Sequence, residues 1–300
     1  MTTIRKDDIV KVETVFREMR DQVCNWAWSL ALFSSWTKTV LPTSIRGLIL
    51  DMDGVLWRGD APIGDLPAIF ARIRERGLKV AFATNNGTRT PEMYVERLAS
   101  FGVTVEPWQV VTSALAVADL LAERFPDGGP VFAIGEAGVM EALRARGFDP
   151  LPVEQAEAAQ AVVAGIDRAI NFHKMAEATL LIRRGRPFYA TNPDKTFPTP
   201  RGEIPGAGAW ISVLVTATGV EPIYAGKPSP ALLELARRRL GTAREATLVV
   251  GDRLETDILG GQNAGMPTAL VLSGVASRAE GEAWQPPIDV IAGNLEELIR

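Results

Sequence analysis

The stretch GLILDMDGVLWRGD, Gly47–Asp60, decides how this chain is read. Its first four residues carry no charge, the mark of a strand buried on both faces. The run ends in two carboxylates one residue apart, Asp51 and Asp53. In extended backbone, residues i and i+2 point to the same side, so both acids face one pocket while Met52 turns away. Gly54 then permits a tight turn. Two ionised carboxylates this close repel each other. A hard cation such as Mg²⁺ would relieve that repulsion and accept oxygen ligands from both.

On the dipeptide alone, exposed loop acids or a metal-binding Asp-x-Asp of the glycosyltransferase kind are equally open. Reading outward from it narrows the choice. A helix is expected over Leu66–Arg76, stopped by Gly77, and KVAFATNNG gives a second apolar strand ending in polar residues. PEMYVERLASFG is a helix with Pro91 at its start and Gly102 at its end. QVVTSA is a short strand leading into a helix at Leu115–Phe125, and ATLVVGD and TALVLSG repeat the strand-then-loop form. Strands alternating with helices imply a parallel sheet covered on both faces, with ligands beyond the carboxyl ends of its strands. Asp51, Thr84, Asn85 and Asp252 each stand where a strand would end, so they are expected to share one crevice.

Between Gly128 and Val220 the texture changes. After the break PDGGP, the segment PVFAIGEAGVMEALRARGF reads as a fresh strand and helix. ATNPDKTFPTPRGEIPGAGA is a long loop rich in Pro and Gly, a kind usually kept for function. The expected organisation is a core over 45–127 and 221–300, with a smaller α/β domain inserted at 128–220.

The first 44 residues differ again. Ile9, Val12, Phe16, Met19, Val23, Trp26, Leu30 and Phe33 recur at alternating steps of three and four, giving an amphipathic helical extension. Its uncharged part, Val23–Thr37, is too short and too rich in Ser and Asn for a membrane span. Docking on this protein or a partner, contact with a membrane surface, and a start codon assigned too far upstream are the three readings it leaves.

Composition sets outer bounds. A chain of 300 residues, 47% of them hydrophobic, has enough for one large core or two smaller ones. A net charge of −4 argues against a protein built to grip nucleic acid. Cys24 is the one cysteine, so no internal disulfide forms and a reducing, cytoplasmic setting is expected. No activating partner is in view, and it reads as a small apolar filler. His173 is the one histidine, which argues against His-rich metal sites and a Ser-His-Asp triad.

Several groups are ambiguous taken singly. Thr84 and Asn85 offer donors suited to phosphate oxygens, or form an ordinary turn. Lys227, in AGKPSP, is held in a loop, or is solvated surface. Asp257 lies five residues after Asp252, and equally suits a helix-terminus charge.

Taken in order, DMDGV, the Thr84 step, Lys227 and GDRLETD resemble the motifs of the haloacid dehalogenase (HAD) superfamily of phosphohydrolases, from Ile45 to Arg300. VVAGIDR and ATNPDKTFPTPRGEIPGAGA resemble the large α/β cap, of C2 type, of subfamily IIA, which contains NagD-like and p-nitrophenylphosphatase-like enzymes. The resemblance implies a Rossmann-like core with an inserted cap, and a Mg²⁺-dependent phosphatase of small phosphate esters. It implies Asp51 as nucleophile, forming an aspartyl-phosphate, and Asp53 as the acid and then the base. The metal would be held by the Asp51 and Asp252 carboxylates and the Asp53 carbonyl, with Asp257 supporting its outer shell. Thr84, Asn85 and Lys227 would hold the phosphoryl oxygens. The cap would close over the pocket through loops near 166–174 and 192–195, offering Asp167, Arg168, His173, Asn192 and Asp194. Arg168 either meets an anionic substrate group or is a surface charge. His173 follows Phe172 where relatives tend to show a tyrosine near the lysine, a departure that leaves the substrate open. A homodimer through the cap is a further family expectation. Rival readings are a phosphotransferase or mutase using the same aspartyl-phosphate, and a non-catalytic sugar-phosphate-binding regulator.

Overall fold

The computed structural model describes residues 41–300, Pro200 excepted. The expected N-terminal helix lies almost wholly outside the described residues. Leu41 and Ile45, which precede the first strand, both belong to the main buried core cluster.

β1 (Gly47–Leu50) emerges as the central strand, followed by a small hairpin of β2 (Trp57–Arg58) and β3 (Ala61–Pro62). β4 (Lys79–Thr84) and β5 (Val110–Thr112) are then laid down on one side of β1. The helices Leu66–Glu75 and Pro91–Ser100 connect them, ending before Gly77 and Gly102, which take positive φ as the sequence anticipates. The next helix, Ser113–Arg124, begins two residues earlier than expected because the Thr112 hydroxyl accepts the amide of Leu115 and caps it.

The chain then builds a second parallel sheet from β6 (Gly129–Ile134), β7 (Phe148–Pro150), β8 (Val162–Ala164) and β9 (Phe188–Ala190). The long Pro- and Gly-rich loop carries an antiparallel pair, β10 (Thr196–Thr199) and β11 (Gly202–Pro205). β12 (Ile223–Tyr224) pairs with β9 at the edge of this second sheet, although it lies beyond residue 220, where the inserted domain is expected to end. The chain returns to the first sheet with β13 (Thr247–Gly251), β14 (Thr268–Val271) and β15 (Val290–Ala292), all parallel.

The first sheet therefore has the order β15-β14-β13-β1-β4-β5. Its direction of growth reverses at β1, which leaves a crevice beyond the carboxyl end of that strand. Asp51 follows β1, Thr84 ends β4 and Asp252 follows β13, so the three neighbours across the reversal deliver the polar groups to one place. The alternation of a pleated strand shows in how β1 is buried. Leu48 and Leu50 enter one core cluster and Ile49 enters another on the opposite face. Each such side chain contributes about 1.5–3 kcal/mol by leaving water.

The second cluster continues past the sheet that starts it. It joins Ile49, Ala81 and Val111 to Val117 and Leu121 of helix Ser113–Arg124, and then to Val139, Leu143, Phe148, Val163 and Tyr189. One face of the second sheet is thus packed onto the first part of the fold. Its other face, with Phe132, Val162 and Phe188, is covered by helices Phe172–Arg183 and Ala207–Thr218.

Candidate active site

The strand ends open onto a cavity of about 530 Å³. At its base lies Lys227, only 3% exposed, a burial that a lysine tolerates only when paired. Its Nζ donates to Asp51 Oδ1 at 2.6 Å, to Asp257 Oδ1 at 2.5 Å and to the carbonyl of Ala83 at 3.0 Å. Burial alone would push the ammonium down, but Asp257 and Asp51 outweigh it and hold Lys227 above its ordinary value.

Asp257 is reached through a wide, π-helical turn over Leu254–Ile258, where the Ile258 amide donates to the Arg253 carbonyl at 3.2 Å. Such turns recur at functional sites, and here the turn places Asp257 deep in the core, not at a solvated helix end. Its Oδ2 accepts the Arg253 amide at 3.1 Å.

Asp252 completes a cluster in which carboxylate oxygens of Asp51, Asp252 and Asp257 all lie within 4.8 Å of one another. The Asp252 Oδ2 accepts the amide of Val275 at 2.9 Å, while Oδ1 is buried with no hydrogen-bond partner. Two glycines make room for this carboxylate. A Cβ on Gly274 would sit 1.8 Å from Asp252 Oδ2, and one on Gly54 would sit 2.3 Å from it. Gly54 also has φ +82, which L side chains rarely adopt. Burial, then the charge of Asp257, pushes the Asp252 carboxyl up to about 6. Burial likewise holds Asp51 well above the usual carboxylate range, against the attraction of Lys227.

Fully ionised, three carboxylates against one ammonium leave an excess of two negative charges in a desolvated cluster, a cost that raises the acids until a cation offsets it. One member of that cluster, Asp252, has a buried carboxylate oxygen with no hydrogen-bond partner. All the donors are hard oxygens, and the excess charge matches a divalent cation, so the residues fit Mg²⁺.

Asp53 lines the same cavity, but its Oδ1 accepts the indole Nε1–H of Trp57 at 2.8 Å, and it stands outside the three-carboxylate cluster. Met52, between the two acids, is fully buried in the core, as strand alternation requires. The Thr84 hydroxyl accepts the Asn86 amide at 3.1 Å and lines the cavity.

The Asn85 side chain is held by neighbouring polar groups. Its Nδ2 donates to both Asp194 oxygens, at 3.2 and 3.1 Å, and to the Lys227 carbonyl at 2.9 Å. Asn192 Nδ2 in turn donates to the Asn85 carbonyl at 2.7 Å. The Asn85 side chain therefore ties the 192–195 loop to the lysine's main chain. Asp194 lines the cavity, and burial raises its carboxyl in spite of the Asn85 bond.

The other expected loop residues face elsewhere. Asp167 is buried and holds its own loop through Lys174 Nζ at 2.7 Å and the Ala169 amide at 2.8 Å. Arg168 is paired with Glu136 on the outer surface, its side chain 77% exposed, which fits the surface-charge reading. His173 is exposed beside Phe172. None of the three lines the cavity; that loop contributes Ile166.

Sequence reasoning did not single out Trp57, Arg253, Ile166 or Phe197, which also form the wall. Trp57 carried a signal in its position four residues after Asp53, since a tryptophan beside paired acids brings a donor that needs a partner. Phe197 lies in a loop whose length alone was informative.

Similarity to known proteins agrees with this geometry. Residues 48–149 match the family described as haloacid dehalogenase-like hydrolase, and residues 224–298 match one described as HAD-hydrolase-like. The chain is 40% identical over 233 residues to the 5'-nucleotidase YutF of Bacillus subtilis, covering 78% of this chain and 89% of that one. The glycerol phosphate phosphatase of Mycobacterium tuberculosis, solved in complex with magnesium, is 36% identical with a TM-score of 0.80, covering 85% of this chain and 77% of that one. NagD from Escherichia coli K-12 is 32% identical with a TM-score of 0.78, over 85% of this chain and 98% of that one. The chain belongs to the haloacid dehalogenase superfamily, in the phosphatase subfamily IIA, and its enzyme class is phosphoric monoester hydrolase.

Proposed function

We propose that this protein is a Mg²⁺-dependent phosphatase of small phosphorylated metabolites that works through an aspartyl-phosphate on Asp51. The observation that carries this reading is the convergence of Asp51 and Asp257 on the Nζ of buried Lys227 beyond the end of β1, with the Asp252 carboxylate in the same cluster. Asp51 attacks phosphorus in line, and Asp53 gives its proton to the departing alkoxide. Water then attacks phosphorus as Asp53 takes its proton, a new oxygen–phosphorus bond forms, and the aspartyl-phosphate bond breaks to release phosphate and the Asp51 carboxylate. Lys227 and Thr84 hold the phosphoryl oxygens, whose charge is the main electrostatic problem of the reaction. Asn85 keeps Lys227 in place through its carbonyl, and Asp257 anchors the ammonium.

The Asp51 and Asp252 carboxylates, with the main chain of Asp53, would hold Mg²⁺. The ion supplies positive charge against the phosphoryl group and against the crowded acids. A cavity of about 530 Å³ suits a metabolite. The names of the similar proteins, a 5'-nucleotidase and a glycerol phosphate phosphatase, support small phosphomonoesters as the substrate class. Ile166, Phe197 and Thr196 offer the leaving group an apolar wall with one hydroxyl.

The test is phosphate release from a panel of nucleotides, sugar phosphates and glycerol phosphate, with Mg²⁺ and with EDTA. Release should require the metal, and the Asp51→Asn variant should release none. Stabilisation by an ester with no release under any condition would instead identify a binding protein. Phosphate passed to an added alcohol in preference to water would identify a phosphotransferase.

A further inference from the structure

Trp57 is a fully buried side chain at the edge of the site, and its indole N–H has one acceptor, Asp53 Oδ1 at 2.8 Å. Main-chain bonds fold the same turn back on itself. The Gly54 amide donates to the Trp57 carbonyl at 2.8 Å, and the Trp57 amide donates to the Met52 carbonyl at 3.3 Å. The ring is clamped as well. The Arg97 guanidinium lies 4.3 Å from its centroid, and the Phe101 ring lies 5.9 Å away on centroids. Arg97 is itself held by donating to the Gly59 carbonyl. A buried ring fixed in this way cannot swing, so its donor has one direction.

We propose that Trp57 is a positioning residue for Asp53. It holds Oδ1 so that Oδ2 is presented to the ester oxygen of the substrate. This rests on the reading of Asp53 as the acid that protonates the leaving group. In that step the Asp51–phosphorus bond forms, the phosphorus–ester oxygen bond breaks, and the Asp53 proton passes to the departing oxygen. Asp53 is otherwise one of the more exposed residues of the turn, with freedom to rotate about its side-chain bonds. A misdirected acid costs rate where the leaving group needs a proton, and costs little where it does not. General acid catalysis contributes about 10²–10⁴-fold, and loss of orientation should forfeit part of it.

The experiment compares kcat/KM for glycerol phosphate, whose alkoxide needs protonation, with that for p-nitrophenyl phosphate, whose phenolate does not. Trp57→Phe keeps an aromatic ring and removes the N–H. It should lower kcat/KM for glycerol phosphate about 10–100-fold and that for p-nitrophenyl phosphate by less than about 3-fold. An equal loss on both esters, or none on either, would overturn the proposal, since a residue that merely fills the core has no reason to discriminate by leaving group. Asp53→Asn must show the same discrimination. If it does and Trp57→Phe does not, only the role of Trp57 falls; if it does not, the acid role of Asp53 falls and the role of Trp57 with it. Should Trp57→Phe fail to fold, benzothienylalanine introduced at position 57 replaces the N–H by sulfur within the same outline, and the same ratio is read.

Discussion

At the scale of the residue, the site turns on one lysine. Lys227 neutralises part of a cluster that holds one more carboxylate than Asp51 and Asp257 alone, and its own burial is sustained by those partners. Replacing it by methionine leaves those acids desolvated without their cation. Lys227→Met should lose at least about 100-fold in kcat and about 3–5 kcal/mol of stability in EDTA. Added Mg²⁺ should restore part of that stability, because a cation again offsets the acids; urea titrations with and without the metal read both values. Gly274→Ala tests the cluster from the other side, since its new Cβ would overlap Asp252 Oδ2. The variant should need well over about tenfold more Mg²⁺ for half-maximal activity while folding normally by circular dichroism. Unchanged metal dependence would separate Asp252 from the metal. The types and spacing of Asp51, Asp53 and Asp252 were legible from the sequence because each ends an apolar run. The partners of Arg168 and Asn85 were not legible, because Glu136 and Asp194 are distant in sequence and meet them only after the second sheet folds.

At the scale of the element, strands read well and helix starts less so. β1, and β4 and β13 between their end residues, are continuous apolar runs, and burial on both faces demands that pattern. The start of helix Ser113–Arg124 depended on a side-chain cap, and the turn that delivers Asp257 depended on a π-helical ladder that no residue periodicity announces. Helix Pro230–Leu240, which follows the Lys227 loop, is pinned to the next turn by Glu234. That carboxylate accepts from Arg237 Nε at 3.0 Å and Arg244 Nε at 2.6 Å. Burial would raise the Glu234 carboxyl, but Arg244 and Arg237 outweigh it and hold it below its ordinary value. A lowered carboxyl stabilises the folded state above the unfolded group's pKa, and that gain disappears as pH falls through the folded group's value. Glu234→Gln should therefore be less stable than the parent near neutral pH, by no more than about 1 kcal/mol because Arg244 is largely solvated. The difference should vanish in acid. Melting temperatures of the two proteins across that range check the sign, and a difference that grows toward acid would refute it.

At the scale of the whole molecule, the inserted sheet is bound to the first by a shared apolar cluster running from Ile49 through Leu121 to Phe148 and Tyr189. That continuity was not visible in the sequence, where the break at PDGGP and the change of texture advertise a separate domain. The uninterrupted apolar runs of β6 and β8 do not say which face meets which neighbour. Phe148→Ala should cost about 3–5 kcal/mol, and it should lower a single melting transition for residues 41–300, read by scanning calorimetry. Separate transitions would mean that the inserted sheet unfolds alone. Among the described residues no helix is long and apolar enough to cross a membrane. The central claim concerns Asp51, and it is tested most directly by rapid acid quenching during turnover of p-nitrophenyl phosphate with Mg²⁺, followed by peptide mass spectrometry. Phosphate on the peptide that carries Asp51, absent from the Asp51→Asn variant, is the predicted result. Rapid turnover with no phosphorylated peptide at any quench time, or phosphate on another residue, would contradict it.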